Sequence, residues 1–188
     1  MQLIAAALPD ARVFTSSDPR TQLEAIAARP RGWTAQAVGF PVAFGVTALG
    51  YATVATAMPD VGSRRLASAA SALNAASTLL WLPMAARRME IGRDVNALLA
   101  EQQPVVDIGA WTFWPYTIAT LGSIVGMGCA LALGGVQWRL GIATAAVAGA
   151  GLLALPRLRD WPPFISYVGT LALGVGLARS AELPARSA

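Results

Sequence analysis

The chain has 188 residues, of which 55% are hydrophobic and 13% charged, and its formal net charge is +4. It contains no histidine, and all 14 of its basic residues are arginine, which excludes a lysine Schiff base to retinal, His-ligated haem or chlorophyll, His-built zinc sites and imidazole general-base catalysis. A single cysteine, Cys129, has no mate for an internal disulfide or a thiol relay, and no basic, aromatic-studded soluble face suited to nucleic acid is present.

The opening run, MQLIAAALPDAR, is apolar but has no basic residue ahead of it, so it matches a secretory leader poorly and is expected to stay in the mature protein. Residues 1–32 read as an amphipathic lead-in. Asp18 is placed as an N-cap with Pro19 at the first helical position, and Pro30 should end the helix. Leu23, Ile26 and Ala27 give that helix an apolar side, and Arg20 with Glu24 forms an i,i+4 pair. It is expected to lie on the membrane surface or on the rest of the protein.

Five apolar stretches follow: Trp33–Met58, Leu66–Ala86, Trp114–Gly134, Gln137–Leu155 and Pro163–Ala178. A helix needs about 20 apolar residues to cross ~30 Å of hydrocarbon. Long Ala- and Leu-rich runs without alternating polar residues favour helices over barrel strands. The expectation is an all-α, polytopic transmembrane helix bundle of about five spans, forming one membrane domain over residues 1–188.

Arginine placement sets the orientation. Arg12, Arg20, Arg29, Arg31, Arg87, Arg88, Arg93, Arg157 and Arg159 fall on the N-terminal side of such a bundle, and Arg64, Arg65, Arg139, Arg179 and Arg186 on the other. That bias predicts the N-terminus inside and the C-terminus outside. Trp33, Trp81, Trp111, Trp114 and Trp161 fall near the inner boundary and Trp138 near the outer, where indole rings settle.

Residues 87–112 are expected to be a cytoplasmic loop carrying a surface helix before Pro104, because Ile91, Val95, Leu98 and Leu99 recur at helical spacing. Its carboxylates, Glu90 and Asp94 with Asp107, allow a magnesium–diphosphate reading of the kind used in prenyl transfer. Such a site needs a second acidic cluster facing a cavity, and the single cluster here lies among arginines, so a solvated, salt-bridged face is the plainer reading. No metal or cofactor is expected.

Within the spans, cohesion must come from small residues and interhelical hydrogen bonds. Gly122 and Gly126 form a GxxxG that Ala119 and Cys129 extend; Ser166, Thr170, Gly174 and Ala178 repeat at i+4, and Ala145 with Gly149 does the same in the fourth span. Asn74, with Ser71 and Thr78 on one face of the second span, must look inward. Thr47, Tyr51, Thr120 and Ser123 fall at similar depth, so these seven residues define either a polar-lined ligand pocket or interhelical glue. Arg157, Arg159 and Trp161, before Pro162 and Pro163, suit an interfacial turn that meets lipid headgroups.

Three function classes follow: a noncatalytic subunit or assembly factor of a membrane complex, a small carrier or receptor for an apolar ligand, and a membrane enzyme acting on a lipid or isoprenoid. The first is preferred, with membrane lipids and other membrane subunits as partners. An Ala/Gly-rich, arginine-only composition suggests a bacterial cytoplasmic membrane.

Overall fold

Prolines punctuate the lead-in as its sequence requires. In the computed structural model, which describes residues 1–101, 110–157 and 163–182, all elements are helical. They are α1 (Gln2–Ala7), α2 (Arg12–Thr15), α3 (Pro19–Ala28), α4 (Pro30–Thr56), α5 (Val61–Ala100), α6 (Ala110–Leu133), α7 (Trp138–Ala154) and α8 (Pro163–Glu182). Asp18 caps α3, its carboxylate accepting from the Thr21 N–H at 2.9 Å and from the Thr21 hydroxyl at 2.5 Å. Pro30 then opens α4, since its missing N–H costs nothing in a first turn.

Two helices, Pro30–Thr56 and Trp114–Leu133, are long and apolar enough to cross a membrane. The other expected spans differ for physical reasons. In α5 the Leu66–Ala86 stretch is diluted by Ser68, Ser71, Asn74, Ser77 and Thr78, and the helix continues into a charged half with Arg87, Arg88, Glu90, Arg93 and Asp94. The apolar parts of the last two, Trp138–Ala154 and Ile165–Ala178, are shorter.

The loop and separate surface helix expected after Ala86 are replaced by one helix that runs from Val61 to Ala100. Pro83 sits inside it, as Pro41 does in α4 and Pro115 in α6. Gly92, a weak helix former, is tolerated for packing: a Cβ there would lie 3.0 Å from Trp33 Cδ1 and 3.2 Å from Thr34 Oγ1. The expected stop near Pro104 lies outside the described residues.

Packing distinguishes two units, Met1–Phe44 with Thr78–Pro115, and Gly45–Ser77 with Tyr116–Ala188. In the first, Leu23, Ala25 and Ile26 of α3 are buried with Val13, Trp33, Ile91 and Val95, and Ala27, Leu98 and Leu99 pack against them. The two amphipathic faces that the sequence leaves separate are thus buried together. A ten-residue helix is marginal alone, and burying each Leu or Ile contributes ~1.5–3 kcal/mol, so this contact is what holds α3 folded.

In the second unit α6 meets α7 through backbone. A Cβ on Gly128 would lie 2.6 Å from the Gly141 carbonyl oxygen, and one on Gly141 would lie 2.5 Å from that of Gly128. Gly126 faces Ala70 of α5, with 3.2 Å between its would-be Cβ and that of Ala70. Gly122 makes only ordinary contact with Leu73, and a Cβ at Gly174 would meet nothing within 4 Å among the described residues, so these two of the expected packing glycines are not points of close backbone approach there. Ala119 is buried and Cys129 half-buried.

Candidate functional site

Two polar constellations sit inside the helices, one in each unit. The first is centred on Arg88. Heptad spacing puts Trp81 and Arg88 on one face of α5, and Trp33, Gln36, Phe40 and Phe44 lie along one side of α4. Phe40 and Phe44 stack at 5.8 Å, and Trp81 stands edge-on to both, at 5.1 and 6.1 Å. The Arg88 guanidinium then lies 4.9 Å from the Trp33 ring, 5.1 Å from Trp81 and 5.6 Å from Phe14.

Arg88 also donates from Nη1 to the side-chain oxygen of the buried Gln36, and the Trp33 indole N–H donates to the Arg88 carbonyl at 2.6 Å. A guanidinium is planar and weakly hydrated, so it can enter such an aromatic setting where an ammonium would lose more hydration. Its neighbour Arg87 instead turns outward to Glu90 at 3.1 Å. Sequence reading counted both arginines as topology charges. The signal that separates them is the heptad from Trp81 to Arg88.

The second constellation contains most of the residues predicted to line a pocket. Asn74 Nδ2 donates to Ser123 Oγ at 3.2 Å, joining α5 to α6, and Ser123 donates to the Thr120 carbonyl at 2.7 Å. Ser71 donates to the Ala48 carbonyl of α4 at 2.9 Å. Asn74, Ser77, Thr117, Thr120, Ser123 and Tyr51 are buried, whereas Thr47 and Thr78 are half-buried. Of the seven expected residues, Asn74, Ser123 and Thr120 are linked by these hydrogen bonds, Ser71 bonds instead to α4, and Thr78 belongs to the other unit.

Sequence reasoning missed Ser77 and Thr117. It also missed the approach of the Tyr116 and Tyr167 hydroxyls, 3.5 Å apart, which joins α6 to α8. The hydroxyls of Thr117 and Thr120 are buried without a hydrogen-bond partner among the described residues.

The acidic candidates do not converge. Glu90 pairs with Arg87 and Asp94 with Arg93 at 3.2 Å, all on an exposed face, and Asp107 lies outside the described residues. Among the described residues no group of three His, Cys, Asp or Glu side chains could hold a metal ion. Of the expected headgroup residues, Arg157 is exposed at the end of α7, and Arg159 and Trp161 lie outside the described residues. No protein-family model, curated protein or solved structure matches the chain.

Proposed function

We propose that the chain is an integral membrane protein of about five spans, N-terminus inside and C-terminus outside, acting without catalysis as a subunit or assembly factor of a membrane complex. The observation that supports this is an inverted polarity. Asn74, Ser77, Thr117, Thr120, Ser123, Thr144 and Ser166 are buried, while Val38, Val42, Val46 and Leu49 of α4, Ile142, Val147 and Leu153 of α7, and Val168 and Leu171 of α8 are at least half exposed. Only 28% of the most apolar stretch of α4 is buried. Water would penalise such a surface, and hydrocarbon favours it.

The composition of α5 fits the same reading: its C-terminal part carries Arg87, Arg88, Glu90, Arg93 and Asp94, charges that belong outside hydrocarbon, and on this reading it stands beyond the inner boundary. There it carries α3, making a small cytoplasmic platform. The shorter α7 and α8 cross where tilt or local thinning of the bilayer accommodates them.

A carrier of an apolar ligand with a polar end is the second reading, favoured by the buried Thr117 and Thr120 hydroxyls. Particle mass in mild detergent, with identification of whatever co-purifies, separates the two. A stoichiometric protein partner supports the first, and a single bound small molecule on a monomer replaces it with the second.

A further inference from the structure

Helix α1 reverses the polarity expected of a short surface helix. Gln2 and Ala5 are buried, while Met1, Ile4 and Leu8, spaced i, i+3 and i+7 along one face, are 66%, 69% and 38% exposed. It is fixed against α4 by two glycines. A Cβ on Gly32 would strike the Leu8 carbonyl, and one on Gly39 would come within 3.3 Å of Ala5 Cβ. Gly32 and Gly39 are two helical turns, ~10 Å, apart, so residues 1–8 lie along the first turns of α4.

Those turns also carry the start of the exposed apolar ridge of α4, with Val38 and Val42 level with Gly39. The exposed Arg29 and Arg31 stand just before it, on the headgroup side. The outer face of α1 is therefore at the depth where headgroups give way to acyl chains.

We infer that residues 1–8 are a lipid-inserted anchor, whose Met1, Ile4 and Leu8 enter the headgroup–acyl boundary of one leaflet beside α4. Amphipathic helices of this kind bury their apolar face about 5–10 Å into that boundary. A bilayer fits better than a protein partner, because one face of a six-residue helix is far smaller than the ~1,200 Å² that specific protein pairs bury. The inference rests on the membrane reading of α4, and its test reports on the two separately.

The test uses the full chain with Cys129→Ser, carrying an environment-sensitive fluorophore at Ile4→Cys or at Leu49→Cys. The protein is reconstituted in phosphatidylcholine vesicles with or without doxyl-labelled acyl chains. Both probes should emit to the blue and lose emission in the doxyl vesicles. Water-like, unquenched emission from residue 4 beside quenching at residue 49 would overturn the anchor and leave the membrane reading standing. A blue-shifted but unquenched probe at residue 4 would mean that protein covers this face, which also overturns it. Failure of quenching at both positions would remove the membrane reading and the anchor together. Gly39→Val, which wedges Ala5 away, should reduce quenching at residue 4 without changing it at residue 49; unchanged quenching at residue 4 would refute the seating of α1 on α4.

Discussion

Gly128 of α6 and Gly141 of α7 meet backbone to backbone, so closely that a methyl group on either would lie 2.5–2.6 Å from the other's carbonyl oxygen. In the proposed membrane setting, where no water would be expelled when helices meet, this approach would take the place of the hydrophobic drive that packs soluble helices. Alanine at either position should force the helices apart and cost about 1–3 kcal/mol, seen as a lower melting temperature in detergent. Gly126→Leu should also destabilise, because Ala70 blocks it. Gly174→Ala should change nothing, and a loss there equal to that of Gly128→Ala would discard the backbone-contact account.

Asn74 is expected to act as interhelical glue through Ser123. Asn74→Leu should cost on the order of 1 kcal/mol, and a double-mutant cycle with Ser123→Ala should give a coupling of ~0.6 kcal/mol. If instead the seam binds a ligand, Asn74→Leu will abolish its co-purification with stability nearly unchanged. Zero coupling would show that the 3.2 Å contact contributes nothing.

Arg88 should hold the lead-in through its aromatic neighbours. Each cation–π contact at a partly buried site contributes ~0.5–2 kcal/mol. Arg88→Leu should therefore speed trypsin cleavage after Arg20, and Arg88→Lys should rescue poorly because the planar stack is lost. Arg87→Leu, which removes only an exposed pair with Glu90, is the control and should leave the digestion rate unaltered.

The lead-in should also respond to acid. The Arg12 side chain, and then its backbone N–H, hydrogen-bond Asp10 and lower its pKa from 3.8 to about 2. Because the folded value is depressed, the contribution is fully present above the ordinary carboxylate range. It is lost as pH falls from 3.8 towards 2. Carboxyl NMR should show Asp10 titrating well below a free aspartate, and Arg12→Gln should return it towards the ordinary value. An unshifted Asp10 in the native protein would mean the pair does not form in solution.

Orientation is checked by reporters. A fusion after Ala188 should read as outside and an insertion near Gln102 as inside. An inside reading at Ala188 would reduce the span count by one, most simply by removing α8, whose apolar part runs only from Ile165 to Ala178.

Composition and period alone determined that the chain is helical, that α4 and α6 are apolar enough to cross a membrane, and that Asp18–Pro19 opens a helix. These are local properties: hydropathy over a window, a cap, a proline. The apolar faces of Leu23–Ile26 and Ile91–Val95 were equally legible, since each repeats at helical spacing. That they bury one another, that Arg88 turns in while Arg87 turns out, and that Gly128 rather than Gly122 makes the close backbone contact of α6 were decided only by the tertiary structure. The physical reason is that small residues and amphipathic stripes recur along every helix here. A single chain's period says which face is available, and which faces meet depends on helix crossings between residues far apart in sequence.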